Sequence, residues 1–139
     1  EIPFVFVVAP NHPLASVAGP ITDELLMPHR MVALADSAQQ LAPMTVGLLP
    51  GQDVLTVPSM ALKIAAQVRG LGCGYLPEPL IRAELASGRL IEKARIPARR
   101  PAMLSYAWRV GGREPGPAQQ WWLERLASHR TRQALIDAG

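Results

Sequence analysis

The chain has 139 residues, enough for one ordinary domain with a sizeable core. A hydrophobic content of 49% against 18% charged residues excludes a disordered tract, and no apolar run approaches the roughly 20 residues that a membrane helix requires. The composition is that of a soluble globular chain with a mild formal charge of +3, and its single cysteine excludes an internal disulfide.

In chain order, Pro3 to Ala9 is β-branched and aromatic strand material, stopped by Pro10-Asn11-His12-Pro13. Glu1 is not a methionine and the first strand follows it at once, which reads as a piece of something longer. Thr22 or Asp23 caps a short helix that ends before Pro28, and Met31 to Ala35 is a second buried strand closed by Asp36-Ser37. A polar, weakly helical stretch through Gln39, Gln40 and Leu41 leads to Pro43. Asp53 to Val57 is a short strand feeding the best-defined helix of the chain.

That helix is predicted over residues 58 to 69, with Pro58 in its first turn and Gly70 just past its end. Met60, Ala61, Ile64, Ala65, Val68 and Leu71 form one apolar stripe, and Lys63 and Gln67 fall on another face toward water. Cys73 to Leu76 reads as a strand buried on both faces, its flanking Gly72 and Gly74 approached closely by neighbouring backbone. Cys73 is then a small apolar filler, and a reducing compartment suits it. A further helix over about 79 to 87 ends at Gly88, Leu90-Ile91 begins an extended segment, and Pro97 to Pro101 breaks the order. Met103 to Val110 alternates as a last strand, and Pro117 opens a long terminal helix through Trp121, Trp122 and Leu126 that frays past His129. Of the two tryptophans only one can point squarely into a core, with packing the preferred role.

Strands alternating with helices at short spacing predict an α/β fold with a largely parallel sheet. The alternation does not close into one lobe. Residues 10 to 100 hold a nearly complete small lobe, whereas the first strand and the segment after Pro101 look like pieces of another sheet.

The landmarks His12-Pro13-Leu14-Ala15, Gly70-Leu71-Gly72-Cys73-Gly74-Tyr75-Leu76-Pro77-Glu78 and Gly88-Arg89-Leu90, followed by a late tryptophan-bearing strand, resemble the effector-binding domain of LysR-type transcriptional regulators. The resemblance runs through essentially the whole chain in order. It implies a periplasmic-binding-protein type II-like fold, two lobes joined by two crossing strands, with the first lobe incomplete in this chain. Residues 1–10 are then a hinge strand and remnant of lobe one, 11–100 are lobe two, and 101–139 are the second hinge strand and carboxy-terminal helix of lobe one. It also implies a small-molecule effector in the inter-lobe cleft, a homo-oligomer (dimer or tetramer), cytoplasmic location, and DNA contact through a separate amino-terminal winged helix-turn-helix, with no cofactor and no membrane.

By that resemblance the cleft elements are the strand end at Asp36 and Ser37 and the helix start Thr56, Val57, Pro58, Ser59 and Met60. A helix N-terminus offers free N–H groups and a favourable dipole to an anion. Ser59 can supply a hydroxyl and a backbone N–H, and Met60 an adaptable apolar wall. Plain capping of the helix by Ser59 or Thr56 explains the same residues. Asp36 repels a carboxylate, so it binds a cationic or hydroxylated group or simply ends its strand.

Other chemistry finds no support in the sequence. His12, His29 and His129 are widely separated and lack Cys or acidic partners at ligand spacing, which argues against a metal site. No Gly-x-Ser-x-Gly or Gly-x-Gly-x-x-Gly pattern is present, so catalytic residues are not assigned. Residues 95 to 132 hold eight arginines against Glu114 and Glu124, a basic region that reads as a solvated face, since Arg125, Arg130 and Arg132 have no aromatics arranged between them for stacking; direct phosphate contact is the other possibility. An extracytoplasmic solute-binding protein on the same two-lobed scaffold is the alternative reading, and an enzyme on that scaffold the weakest.

Overall fold

The computed structural model describes residues 1–35, 47–98, 101–108 and 116–137. Its centre is β1 (Phe4–Val8), whose β-branched and aromatic residues suit a strand packed on both faces. It lies antiparallel between β4 (Gly74–Pro77) and β5 (Ile91–Glu92), with Phe4 opposite Pro77, Val7 opposite Gly74, and Val8 opposite Ile91. A parallel pair, β2 (Met31–Leu34) and β3 (Val54–Val57), runs in register from Met31–Val54 to Leu34–Val57. One parallel bridge, Met31 to Cys73, joins this pair to β4: Cys73 N–H donates to the Arg30 carbonyl at 3.0 Å and Val32 N–H to the Cys73 carbonyl at 2.9 Å. The expected parallel sheet is therefore present on the β4, β2, β3 side, while β1 runs against both its neighbours. Pairing direction depends on which strands end up adjacent, and a strand's own residues do not carry that information.

The main helix, α2, spans Met60–Val68 and starts two residues later than the sequence suggests. Ser59 takes the N-cap with extended backbone, and Pro58 stands outside the helix. Proline forces its preceding residue to stay extended, so Val57 ends the strand before the turn is made. The other end is as expected. Gly70 adopts a left-handed φ of 71°, Leu71 N–H donates to the Ala66 carbonyl at 3.0 Å and Gly70 N–H to the Gln67 carbonyl at 2.9 Å, which is the Schellman closure.

The two faces of the sheet carry separate apolar clusters. Val7, Leu76, Ile81 and Leu90 pack under α2 and α3 (Arg82–Ala86), receiving Met60, Ile64, Val68 and Leu85. Phe6, Val8, Cys73 and Tyr75 face the other way, onto Leu14, Ile21 and Leu26. Leu26 belongs to the four-residue helix α1 (Asp23–Leu26), capped by the Thr22 hydroxyl as the sequence indicates. The inward face of α2 differs from the predicted stripe: Gln67 is wholly buried while Ala61 and Ala65 are exposed and Leu71 is half exposed. Alanine side chains are too small to fix a helix's rotation, so Met60, Ile64 and Val68 set it and carry Gln67 inside. The helix expected over 79 to 87 is split into a single 3-10 turn, Glu78–Leu80, and α3.

Beyond Pro101 the expectations fail more fully. Ile2 and Ala102 exchange two backbone hydrogen bonds at 2.8 and 2.9 Å, yet the described residues 103–108 form no strand. Met103, Leu104, Tyr106 and Trp108 are all exposed. Alternation yields a strand only where a partner and a covering layer exist, and beyond the Ile2 bridge neither is found here among the described residues. The terminal helix is two helices, α4 (Pro117–Ala127) and α5 (His129–Asp137), separated at Ser128. Arg132 Nη1 donates to the Leu126 and Ala127 carbonyls at 2.6 and 2.8 Å and so closes α4, and the chain continues as helix past His129 instead of fraying. Neither Trp121 nor Trp122 is buried; they meet edge to face, and Arg125 lies 5.2 Å from the Trp121 ring centre, a stacking arrangement that the sequence reading did not anticipate.

Candidate functional site

Parallel pairing brings the carboxyl ends of β2 and β3 together, and α2 begins immediately beyond them. Ala35 N–H donates to the Val57 carbonyl at 2.8 Å, so the last ladder bond sits two residues before the Ser59 N-cap of the helix. The carboxyl edge of parallel strands is where open α/β sheets place their ligands, because helix N-termini and connecting loops converge there. Leu34, Ala35, Thr56, Val57, Pro58, Ser59 and Met60 occupy this edge. Of the predicted site residues, Thr56 and Pro58 are exposed, and Val57, Ser59 and Met60 are half-buried. Asp36 and Ser37 lie outside the described residues.

Ser59 is the pivot of this edge. Its hydroxyl oxygen accepts from Leu62 N–H at 3.2 Å, which satisfies one of the N–H groups that a helix start leaves without an acceptor. That bond uses a lone pair, so the hydroxyl proton stays available as a donor. The first turn carries no acidic side chain, leaving the positive end of the helix dipole uncompensated from within the helix. Capping is thus the work of Ser59, and Thr56 takes no part in it. Met60 packs partly into the cluster beneath α2, so it is anchored in the core as well as bordering the edge. Sequence reasoning missed Leu34 and Leu62, which are 42% and 50% exposed and add apolar surface beside Ser59. The signal for Leu34 was its place at a strand end, which only the β2–β3 register converts into proximity.

The opposite edge of the sheet has different chemistry. Arg30 Nε and Asp53 Oδ2 form an exposed ion pair at 2.7 Å before β2 and β3 begin. His12 caps the 3-10 turn Pro13–Ser16, its Nδ1 accepting from Leu14 N–H at 3.1 Å, and its ring centre lies 5.0 Å from that of His29. The two histidines treated as unrelated in the sequence are therefore neighbours. Burial, and then the facing His29 ring, hold the His12 imidazole below its ordinary pKa. Burial pushes the Cys73 thiol up to about 12, so it is an inert filler as expected. Arg95, counted with the basic carboxy-terminal region, is in fact a core group: Nη2 meets Asp23 at 2.8 Å and the guanidinium lies 5.6 Å from the Phe6 ring centre. Among the described residues no group of three or more His, Cys, Asp or Glu is placed to hold a metal ion, and none of the helices is long and apolar enough to cross a membrane.

Comparison with known proteins agrees with this architecture. Residues 1–131 match the family described as LysR substrate binding domain. The chain is 37% identical over 107 residues to the HTH-type transcriptional activator AllS of Salmonella paratyphi A, which covers 77% of this chain and 35% of that protein. It is 36% identical over 127 residues to the uncharacterized HTH-type transcriptional regulator YeeY of Escherichia coli, covering 90% of this chain and 40% of that protein. Among solved structures it is similar to the Synechocystis CcmR regulatory domain in complex with 2-PG, with TM-score 0.58 and 16% identity over 90% of this chain and 61% of that one. The effector binding domain of QuiR in complex with shikimate gives TM-score 0.54 and 14% identity over 88% of this chain and 58% of that one. These likenesses give the periplasmic-binding-protein type II-like α/β fold. With the family match running over nearly its whole length, the chain belongs to the LysR substrate-binding domain family.

Proposed function

We propose that this chain is the effector-sensing domain of a LysR-type transcriptional regulator and that a small molecule binds at the edge formed by the ends of β2 and β3 and the start of α2. The observation that carries this is the joining of Ala35 to Val57 two residues before the Ser59-capped helix start. There the Ser59 hydroxyl and the first-turn N–H groups receive an anionic or hydroxylated group of the ligand, and Thr56 offers a second hydroxyl. Val57, Pro58 and Met60 supply an apolar wall; Asp36 and Ser37, expected at the same edge from the sequence, lie outside the described residues. Support comes from two solved relatives, whose domains are in complex with the small molecules 2-PG and shikimate.

The domain binds and does not catalyse. In this reading residues 11–100 form lobe two, the hinge strand within residues 1–10 enters it as the centre of its sheet, and residues 101–139 belong to the lobe on the far side of the cleft. The curated relatives are named HTH-type, and this chain spans 35% and 40% of the two described above. DNA contact is accordingly assigned to a helix-turn-helix outside these residues, in a cytoplasmic homo-oligomer whose DNA geometry the effector alters.

The test is made in the intact regulator. Small hydroxylated acids are screened by thermal shift, and Ser59→Trp is then compared with the parent. The substitution is expected to abolish the ligand shift while DNA binding is retained, because the indole fills the binding edge and leaves both apolar clusters untouched. An undiminished ligand response in Ser59→Trp removes this edge from the site.

A further inference from the structure

The hinge end of lobe two gathers residues from distant parts of the chain. Phe4 of β1 lies opposite Pro77 of β4, Glu78 N–H donates to the Pro3 carbonyl at 2.9 Å, and Ile2 exchanges backbone hydrogen bonds with Ala102. Arg82, the first residue of α3, holds two carboxylates at once. Its Nε and Nη2 donate to the two carboxylate oxygens of Glu78 at 2.9 and 3.3 Å, and its Nη1 donates at 3.0 Å to Oδ1 of Asp137, the last residue of α5. We propose that Arg82 clasps α5 to lobe two across the hinge and so restrains the angle between the lobes. The inference rests on the two-lobe reading above, in which α5 belongs to the far lobe.

Two features set this contact apart from an ordinary surface ion pair. Both partners are held in advance on their own elements. Glu78 grips the guanidinium through two bonds, and Gln133 Nε2 donates to both oxygens of Asp137 at 3.2 and 3.3 Å, so closing the clasp freezes few further rotamers. The second feature is electrostatic. Asp137 stands at the carboxyl end of α5, where the helix dipole disfavours a negative charge, and the last turn of α5 carries no basic side chain. Arg82 supplies from lobe two the positive charge that α5 lacks. All three side chains stay partly open to water, Arg82 by 52%, Glu78 by 30% and Asp137 by 40%, so the clasp is releasable and sensitive to salt.

The test uses the intact regulator with no effector added. Nitroxides at Arg69→Cys and Glu124→Cys, both exposed positions, report the distance between lobes in protein diluted with its unlabelled form. Arg82→Met keeps helix propensity and most of the side-chain length, and Asp137→Asn keeps the side-chain shape. Exposed ion pairs are weak, so each variant is expected to enlarge the minor population of distances by about two- to fivefold. The double variant is expected to match either single one, and the parent in about 1 M salt to approach them. Hydrogen exchange adds a sign. With the clasp, Asp137→Asn speeds exchange in α5; without it, the same change removes an unfavourable charge and slows exchange. Slower exchange in Asp137→Asn, an unchanged distance distribution in either variant, or an effect of Arg82→Met with none of Asp137→Asn overturns the proposal. The effector response of Ser59→Trp is read separately, so failure of the clasp and failure of the binding edge are distinguishable.

Discussion

Gly72 passes so close to Arg30 that a β-carbon on it would lie 2.7 Å from the Arg30 carbonyl oxygen and 3.0 Å from Cγ2 of Val32. That carbonyl is the acceptor of the Cys73 N–H bond joining β4 to the β2–β3 pair. An alanine here must therefore push apart the bridge that, among the described residues, joins the three-stranded sheet to the β2–β3 pair. Gly72→Ala is expected to lower stability by about 1–3 kcal/mol, as overpacking does. Urea unfolding of the variant beside the parent decides the matter, and an unchanged midpoint would show that the bridge yields without cost.

Ser59 has a structural role that is measurable apart from any ligand. Removing its oxygen leaves Leu62 N–H without an acceptor, so Ser59→Ala is expected to destabilise by about 1 kcal/mol and Ser59→Gly by only a few tenths. Equal effects of alanine and glycine in chemical denaturation would show that the cap bond contributes little. The comparison also calibrates Ser59→Trp, which loses the same bond and in addition occupies the edge.

Gln67 is fully buried, and neither its amide nitrogen nor its amide oxygen has a hydrogen-bond partner among the described residues. A buried amide without partners destabilises by about 1–3 kcal/mol. Gln67→Met has similar reach and no polar atoms, so it is expected to raise the urea midpoint. A lowered midpoint would mean that the amide is satisfied within the fold, through bound water.

His12 predicts an acid-sensitive fold. Its folded pKa lies below the unfolded value near 6.5, so the unfolded chain takes up a proton first as pH falls. The contribution to stability is complete above about pH 6.5 and is lost as pH drops through the folded value. Protonation also removes the Nδ1 acceptor of Leu14 N–H. Thermal melting is expected to fall more steeply with acid for the parent than for His12→Asn, which does not titrate; parallel curves would assign the acid loss to other groups.

Much of this was legible in the sequence because it depends on local chemistry. Pro10, Pro28 and Pro77 mark element ends, Thr22 caps as read, and the left-handed Gly70 closes α2 through backbone bonds made within six residues. The quartet His12 to Ala15 and the run Gly70 to Glu78 carried the family, and their local roles follow from residue type: a cap, a close approach, a buried strand. Asp36 and Ser37, expected at the same edge as Ser59, fall outside the described residues.

Tertiary structure alone decided the relations between distant segments. Strand direction around β1, the joining of Ala35 to Val57, the meeting of His12 with His29, and the burial of Gln67 and Arg95 each depend on which surfaces pack together. The same reason explains the largest failure, the alternating segment from Met103 onward, whose described residues form no strand and remain exposed. A sequence fixes caps and turns through bonds a few residues long, but a strand, a binding edge or a paired histidine exists only when a second segment arrives beside it.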